Sequence, residues 1–153
     1  MSEPLKIVFI NMPFASLGMP SLALTQLEGL MKTRFPGRVD ARTHYLNLDF
    51  AEYLGDVSYY QHAIIGDGFM TGIGDWYFRQ SAFPDAADNE EDYFDRYYFS
   101  EDETTLAYRK VYGEKRKTLD AFLDQLIDKY NLAEADVVGF TTLFSQAVGS
   151  FAL

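Results

Sequence analysis

Residues 6–10, KIVFI, make an unbroken β-branched and aromatic run that stops at Asn11-Met12-Pro13. A run of this kind reads as a strand buried on both faces, as in the interior of a parallel sheet. Pro13 has no backbone N–H to carry a ladder further. Residues 136–140, DVVGF, have the same character near the other end of the chain. Working inward from the first run, the turn FASLGMP leads to Pro20, which suits a first helical turn. Ala23, Leu27 and Leu30, with Leu24, Met31 and Phe35 beside them, recur at helical spacing and make one apolar face. Pro36-Gly37 ends that helix. From Val39, VDARTHYLNL is strand-like with a mixed pattern, and Asp49 with Glu52 forms a capping box for a short helix that ends near Gly55.

Strands that alternate with helices imply right-handed crossovers and an α/β fold, here a Rossmann-like parallel sheet flanked by helices. The 153 residues suffice for one domain, taken as 1–153. Residues 56–99 break the alternation. They are dense in Tyr, Phe, Gly and Asp, hold the single tryptophan, Trp76, and contain the acidic patch DNEEDYFD. This reads as an irregular aromatic and acidic insertion whose rings pack on the core, a partner or a ligand, because disordered segments are poor in aromatics. Ser100 and Glu103 form a second capping box at the start of a long helix, and Asn131 is its stop. Only three strands are clear, and Ala147 to Leu153 looks like the start of a further helix. The sheet is therefore expected to be incomplete within this sequence.

The formal charge of −10, from 23 acidic and 13 basic residues, argues against nucleic acid or an anionic membrane as partner. The absence of cysteine excludes disulfides, thiolate metal sites and iron–sulfur ligation by this chain. The start has no cationic leader or long apolar run, which makes the cytoplasm the expected location. His44 and His62 have no evident metal partner in the sequence, and no nucleophile-elbow or Ser/His/Asp spacing is present. No residue is assigned as catalytic or metal-binding.

In doubly wound sheets ligands sit beyond the carboxyl ends of the strands, which points to NMPFASLGMP and TTLFSQAVG. Thr141, Thr142, Ser145 and Gln146 offer neutral donors and acceptors in front of a helix start, suited to a polar organic group or a phosphate. Taken alone, Ser145 reads first as a plain helix cap, since Ser is a preferred cap residue. The glycines of GDGFMTGIGDW follow no strand, so that stretch reads as a flexible loop.

The segments INMPFASLGMPSLAL, YLNLDFAEYLG, GDWYF and VVGFTTLFSQAVGSFAL, in that order, resemble the amino-terminal region of cobalamin-binding radical SAM proteins that mature ribosomally made peptides. Thr141-Thr142-Leu143-Phe144-Ser145 looks like the family's Ser-x-Leu-x-Thr pattern with its hydroxyl residues exchanged. The resemblance implies that Thr141, Thr142, Leu143, Ser145 and Gln146 hold the nucleotide tail of cobalamin. It also implies that Asn11, Met12, Pro13, Phe14, Ala15, Ser16 and Leu17 border the corrin. The histidine of an Asp-x-His-x-x-Gly loop is missing, as in the radical SAM subgroup, and so is the three-cysteine motif. The iron–sulfur cluster and S-adenosylmethionine would thus belong to a downstream domain, and this chain would not catalyse alone. A peptide substrate or a partner chain is the expected partner. The alternative is a non-catalytic α/β module that binds a basic peptide or a partner subunit through its acidic insertion. A receiver-like phosphorylation domain is disfavoured, because strands one and three end without the carboxylates that hold a divalent metal.

Overall fold

The computed structural model describes residues 3–153. Its centre is the first run: β1 (Leu5–Asn11) pairs in parallel with β2 (Val39–Tyr45) on one side and β3 (Val137–Phe140) on the other. The order β2-β1-β3 is that of a Rossmann-like sheet. Even-numbered residues of β1 face one way, and Val8 and Ile10, followed by Met12, enter the main core. There they meet Leu46, Phe50 and Leu54 of α2 (Leu46–Leu54) and Phe122, Leu123 and Leu126 of α8 (Leu119–Tyr130). On the opposite face α1 (Leu22–Arg34) lies over β2 and β1.

Pro20 lies outside α1, whose cap is Ser21, its hydroxyl accepting from the Leu24 N–H. Only Leu24 of the expected apolar face is buried, while Leu27 and Leu30 remain 40% and 47% exposed. The reason is position: α1 lies over β2 and β1 and leaves the β3 side of the sheet open. Val137 is 46% exposed there, and the Phe9 ring lies over Gly139, where a Cβ would press against it at 3.2 Å. The mixed pattern of β2 resolves into two faces. Val39, Ala41 and Thr43 lie on the α1 side, in register with Leu5, Ile7 and Phe9, and Asp40, Arg42 and His44 face the other way.

Asp49 does not cap α2, which begins three residues earlier at Leu46. Its carboxylate instead accepts from Lys129 and from the Tyr130 hydroxyl, tying α2 to the end of α8. Residues 56–99, expected to be irregular, are mostly helical: α3 (Val57–Ile64), α4 (Asp67–Met70), α5 (Ile73–Ala82) and α6 (Glu90–Tyr97). Gly66 and Gly72 precede α4 and α5 at positive φ, so these glycines start helices where a flexible loop was expected. The rings of the insertion face inward. Trp76, Tyr77, Phe78, Tyr93, Phe94 and Tyr98 are all buried in the same core as the sheet.

Ser100 is not the cap of α7 (Glu103–Arg116). Asp102 is, with its carboxylate held down to about 2 by hydrogen bonds from Ser100 and Thr105. The expected long helix is two helices, interrupted at Lys117-Thr118. Asn131 ends α8 in the left-handed conformation, as its type predicts, and a 3-10 turn, Leu132–Glu134, leads into β3. The last element is α9 (Ala147–Ala152). Among the described residues no helix is long and apolar enough to cross a membrane.

Candidate functional site

The loops after β1 and β3 meet at the carboxyl end of the sheet because their strands are neighbours. Thr141 joins them: its N–H donates to the Ile10 carbonyl at 3.0 Å, and its hydroxyl accepts from the Met12 N–H at 2.9 Å. Gln146 then closes the seam from the far side, with Nε2 donating to the Met12 and Pro13 carbonyls at 3.0 and 3.2 Å. Its side chain is buried, so these bonds act where water cannot replace them.

The first loop is also fixed from α2 and α3. Asn11 donates to Asn47 Oδ1 at 2.9 Å, and Asn47 donates to the Ser16 carbonyl at 3.0 Å. The Tyr60 hydroxyl donates to the Ala15 carbonyl at 2.7 Å. Phe14 holds φ at 68°, which turns its ring inward among Phe50, Tyr60, Tyr77 and Phe78. Asn11, Met12 and Pro13 are buried, Phe14, Ala15 and Leu17 are half-buried, and only Ser16 of the predicted corrin border is exposed.

The second loop is more open. Thr141 and Ser145 are half-buried, Thr142 is exposed, and Leu143 and Phe144 are 72% and 74% exposed. Phe144 and Ser145 both hold positive φ, a turn that lifts residues 142–144 off the sheet. The turn is supported from α5. Gly74 faces Ser145 so closely that any Cβ would overlap the Ser145 carbonyl and Cβ. Ser145 does not cap α9. The cap position is Gln146, whose side chain makes no capping bond to the helix, and the Val148 N–H donates to Asp75 Oδ1 at 3.2 Å. A carboxylate thus already occupies one N–H at the start of α9.

All the predicted site residues are therefore in one place, in two roles. Asn11, Met12, Pro13, Phe14 and Gln146 build the loops, whereas Ala15–Leu17 and Thr141–Ser145 present surface. The Thr142 and Ser145 hydroxyls have no protein partner among the described residues, so both remain able to donate and accept. On the β3 side of the sheet that α1 leaves open, Phe9, Gly139 and Val137 form an apolar strip. Such a lip and strip suit a neutral, planar group with hydrogen-bonding edges. Asn47, Tyr60, Gly74 and Asp75 are the supporting residues that sequence reading missed. Of these, only Asn47 carried a signal, as an amide inside the apolar run YLNLDF.

His44 and His62 lie apart from this site. His62 stacks on Tyr108 at 3.9 Å in the insertion, and His44 lies 4.3 Å from the Tyr130 ring. Among the described residues no group of three or more His, Asp or Glu is placed to hold a metal ion. In comparisons with known proteins, no family model, curated protein or solved structure matches the chain.

Proposed function

We propose that this chain is the cobalamin-binding amino-terminal portion of a radical SAM enzyme that modifies, by methylation, a ribosomally made peptide. The observation that carries the reading is the exposed Thr142-Leu143-Phe144 lip, set on a parallel strand and joined through Thr141 to the loop after β1. Hydroxyls above an apolar strip fit the nucleotide tail, a planar base on a polar sugar-phosphate arm. Thr141, Thr142, Leu143 and Ser145 would hold it, with Ala15, Ser16 and Leu17 beside the corrin. Gln146 and Asn11 to Phe14 position those loops. Bound cobalamin would supply the methyl-carrying cobalt centre. With no cysteine in the chain, the cluster and S-adenosylmethionine belong to other polypeptide.

The test is titration of the intact protein with hydroxocobalamin, followed by its visible spectrum and by retention through gel filtration. Retention in near-equimolar amount, weakened at least tenfold by Thr142→Val with Leu143→Asp, supports the reading. No retention by folded protein overturns it.

A second reading has its own observation. Glu91, Asp92 and Asp95 are exposed on α6, beside Tyr97 and Phe99 at 40% and 75% exposure, which suits a basic peptide. Binding of such a peptide would weaken steeply with salt, because exposed charges are screened within a Debye length of about 10 Å at 0.1 M. Cobalamin retention would not.

A further inference from the structure

On the flank of the insertion, α5 and α6 meet through Trp76 and Tyr93, whose rings stack at 4.2 Å and 7°. Beside that stack is a surface hollow of about 460 Å³, walled by these helices, Phe83 and, from α9, Val148. Its volume falls within the range of small-ligand sites, about 300–1,000 Å³. Of the residues that line it, only Val148 comes from the TTLFSQAVG stretch after β3.

The chemistry of the hollow departs from that of the molecule around it. In a chain of charge −10, two arginines, Arg79 and Arg96, are among the residues that line it. Among the described residues neither lies within 4.0 Å of a carboxylate, although seven other ion pairs form. Arg79 donates one N–H to the Ala87 carbonyl at 2.8 Å, and Arg96 lies 5.3 Å from the Tyr97 ring centre. The carboxylates of Asp75 and Asp92 also line the hollow, and Asp75 is engaged by the Val148 N–H. The two guanidiniums and two carboxylates balance, so the hollow is formally neutral within an acidic chain. A guanidinium fork matches a carboxylate in geometry.

The walls supply the rest. Phe83 and Tyr97, 50% and 40% exposed, are apolar surface beside the cations.

We propose that this hollow binds the carboxyl terminus of a peptide that ends in an apolar residue. The terminal carboxylate pairs with Arg79 and Arg96, and the last side chain lies on Phe83 and Tyr97. The proposal stands apart from the cobalamin reading, since it uses none of the lip residues.

Trp76 is the chain's single tryptophan, and it lies in the wall, so its emission reports on the hollow directly. The full chain is titrated with N-acetyl-Ala-Phe as the free acid, with the corresponding carboxamide, and with inorganic phosphate, without cobalamin. The expected result is a saturable change in Trp76 emission with the acid, at least tenfold weaker binding of the amide, and no competition by phosphate. Arg96→Gln, at an exposed position without an ion pair, weakens the acid at least tenfold and leaves the circular dichroism unchanged. Equal binding of acid and amide, displacement by phosphate, an unaffected Arg96→Gln, or no binding by emission and calorimetry at millimolar acid would each overturn the proposal.

Discussion

Gln146 shows how much one side chain does at the seam between β1 and β3. It is the only described group that donates to the Met12 and Pro13 carbonyls, and it is 4% exposed. Gln146→Ala would leave those carbonyls buried without donors, at a cost of about 1–3 kcal/mol, measurable by urea unfolding. His62 carries a different kind of consequence. It is half-buried against Tyr98, Tyr108 and Tyr112, and burial lowers its pKa below the ordinary range, with nearby Asp67 acting in the opposite sense. The unfolded chain then takes up the proton more readily than the folded one. The stability tied to neutral His62 is complete above the unfolded value of about 6.5 and is lost as pH falls through the lower folded value. His62→Phe should therefore shrink the drop in melting temperature between pH 7 and pH 5. An unchanged drop would remove His62 from the acid response and leave it to His44, whose pKa burial also lowers.

At the scale of elements, the seam between α5 and α9 makes a prediction with an internal control. Gly74 in α5 has no room for a Cβ against the Ser145 backbone, so Gly74→Ala should cost at least about 1–3 kcal/mol as the turn before α9 is pushed away. Gly29 lies at an exposed position inside α1, where an added methyl would meet nothing within 4 Å, and Gly29→Ala should stabilise the chain by up to about 1 kcal/mol. Opposite signs in thermal unfolding would confirm that packing, not helix propensity, sets the effect at Gly74. The same pair explains what the sequence made legible. KIVFI and DVVGF announce strands because β-branched runs between breakers have few other uses, and the doubly wound rule then brings their loops together. The insertion concealed its helices because its apolar positions are aromatic and its glycines looked like loop residues. The contact that requires Gly74, with Ser145 some seventy residues away, leaves no trace in local pattern. The same holds for the bond between Asn11 and Asn47.

At the scale of the molecule, the sheet is covered unevenly. One face is sealed by the aromatic core, and the other is covered only where α1 lies over β2 and β1, leaving Leu27, Leu30 and Val137 each at least 40% exposed. Parallel sheets are ordinarily covered on both faces, and contiguous apolar surface is uncommon on a folded monomer. If Leu27 and Leu30 served the fold, replacing them would resemble Leu24→Ala, which removes a buried side chain and should cost about 2–5 kcal/mol. Their exposure argues otherwise. The double variant Leu27→Gln, Leu30→Gln should stay within about 0.5 kcal/mol of the parent in urea unfolding. It should also lower the fluorescence of a bound apolar dye, because Leu27 and Leu30 are exposed apolar surface. Under the cobalamin reading the same variant would weaken retention of the cofactor as well, since the planar tail loses apolar contact while the hydroxyls of the lip remain. Lost dye binding with full cofactor retention would separate Leu27 and Leu30 from the site. A large loss of stability would mean that the two leucines are part of the core after all.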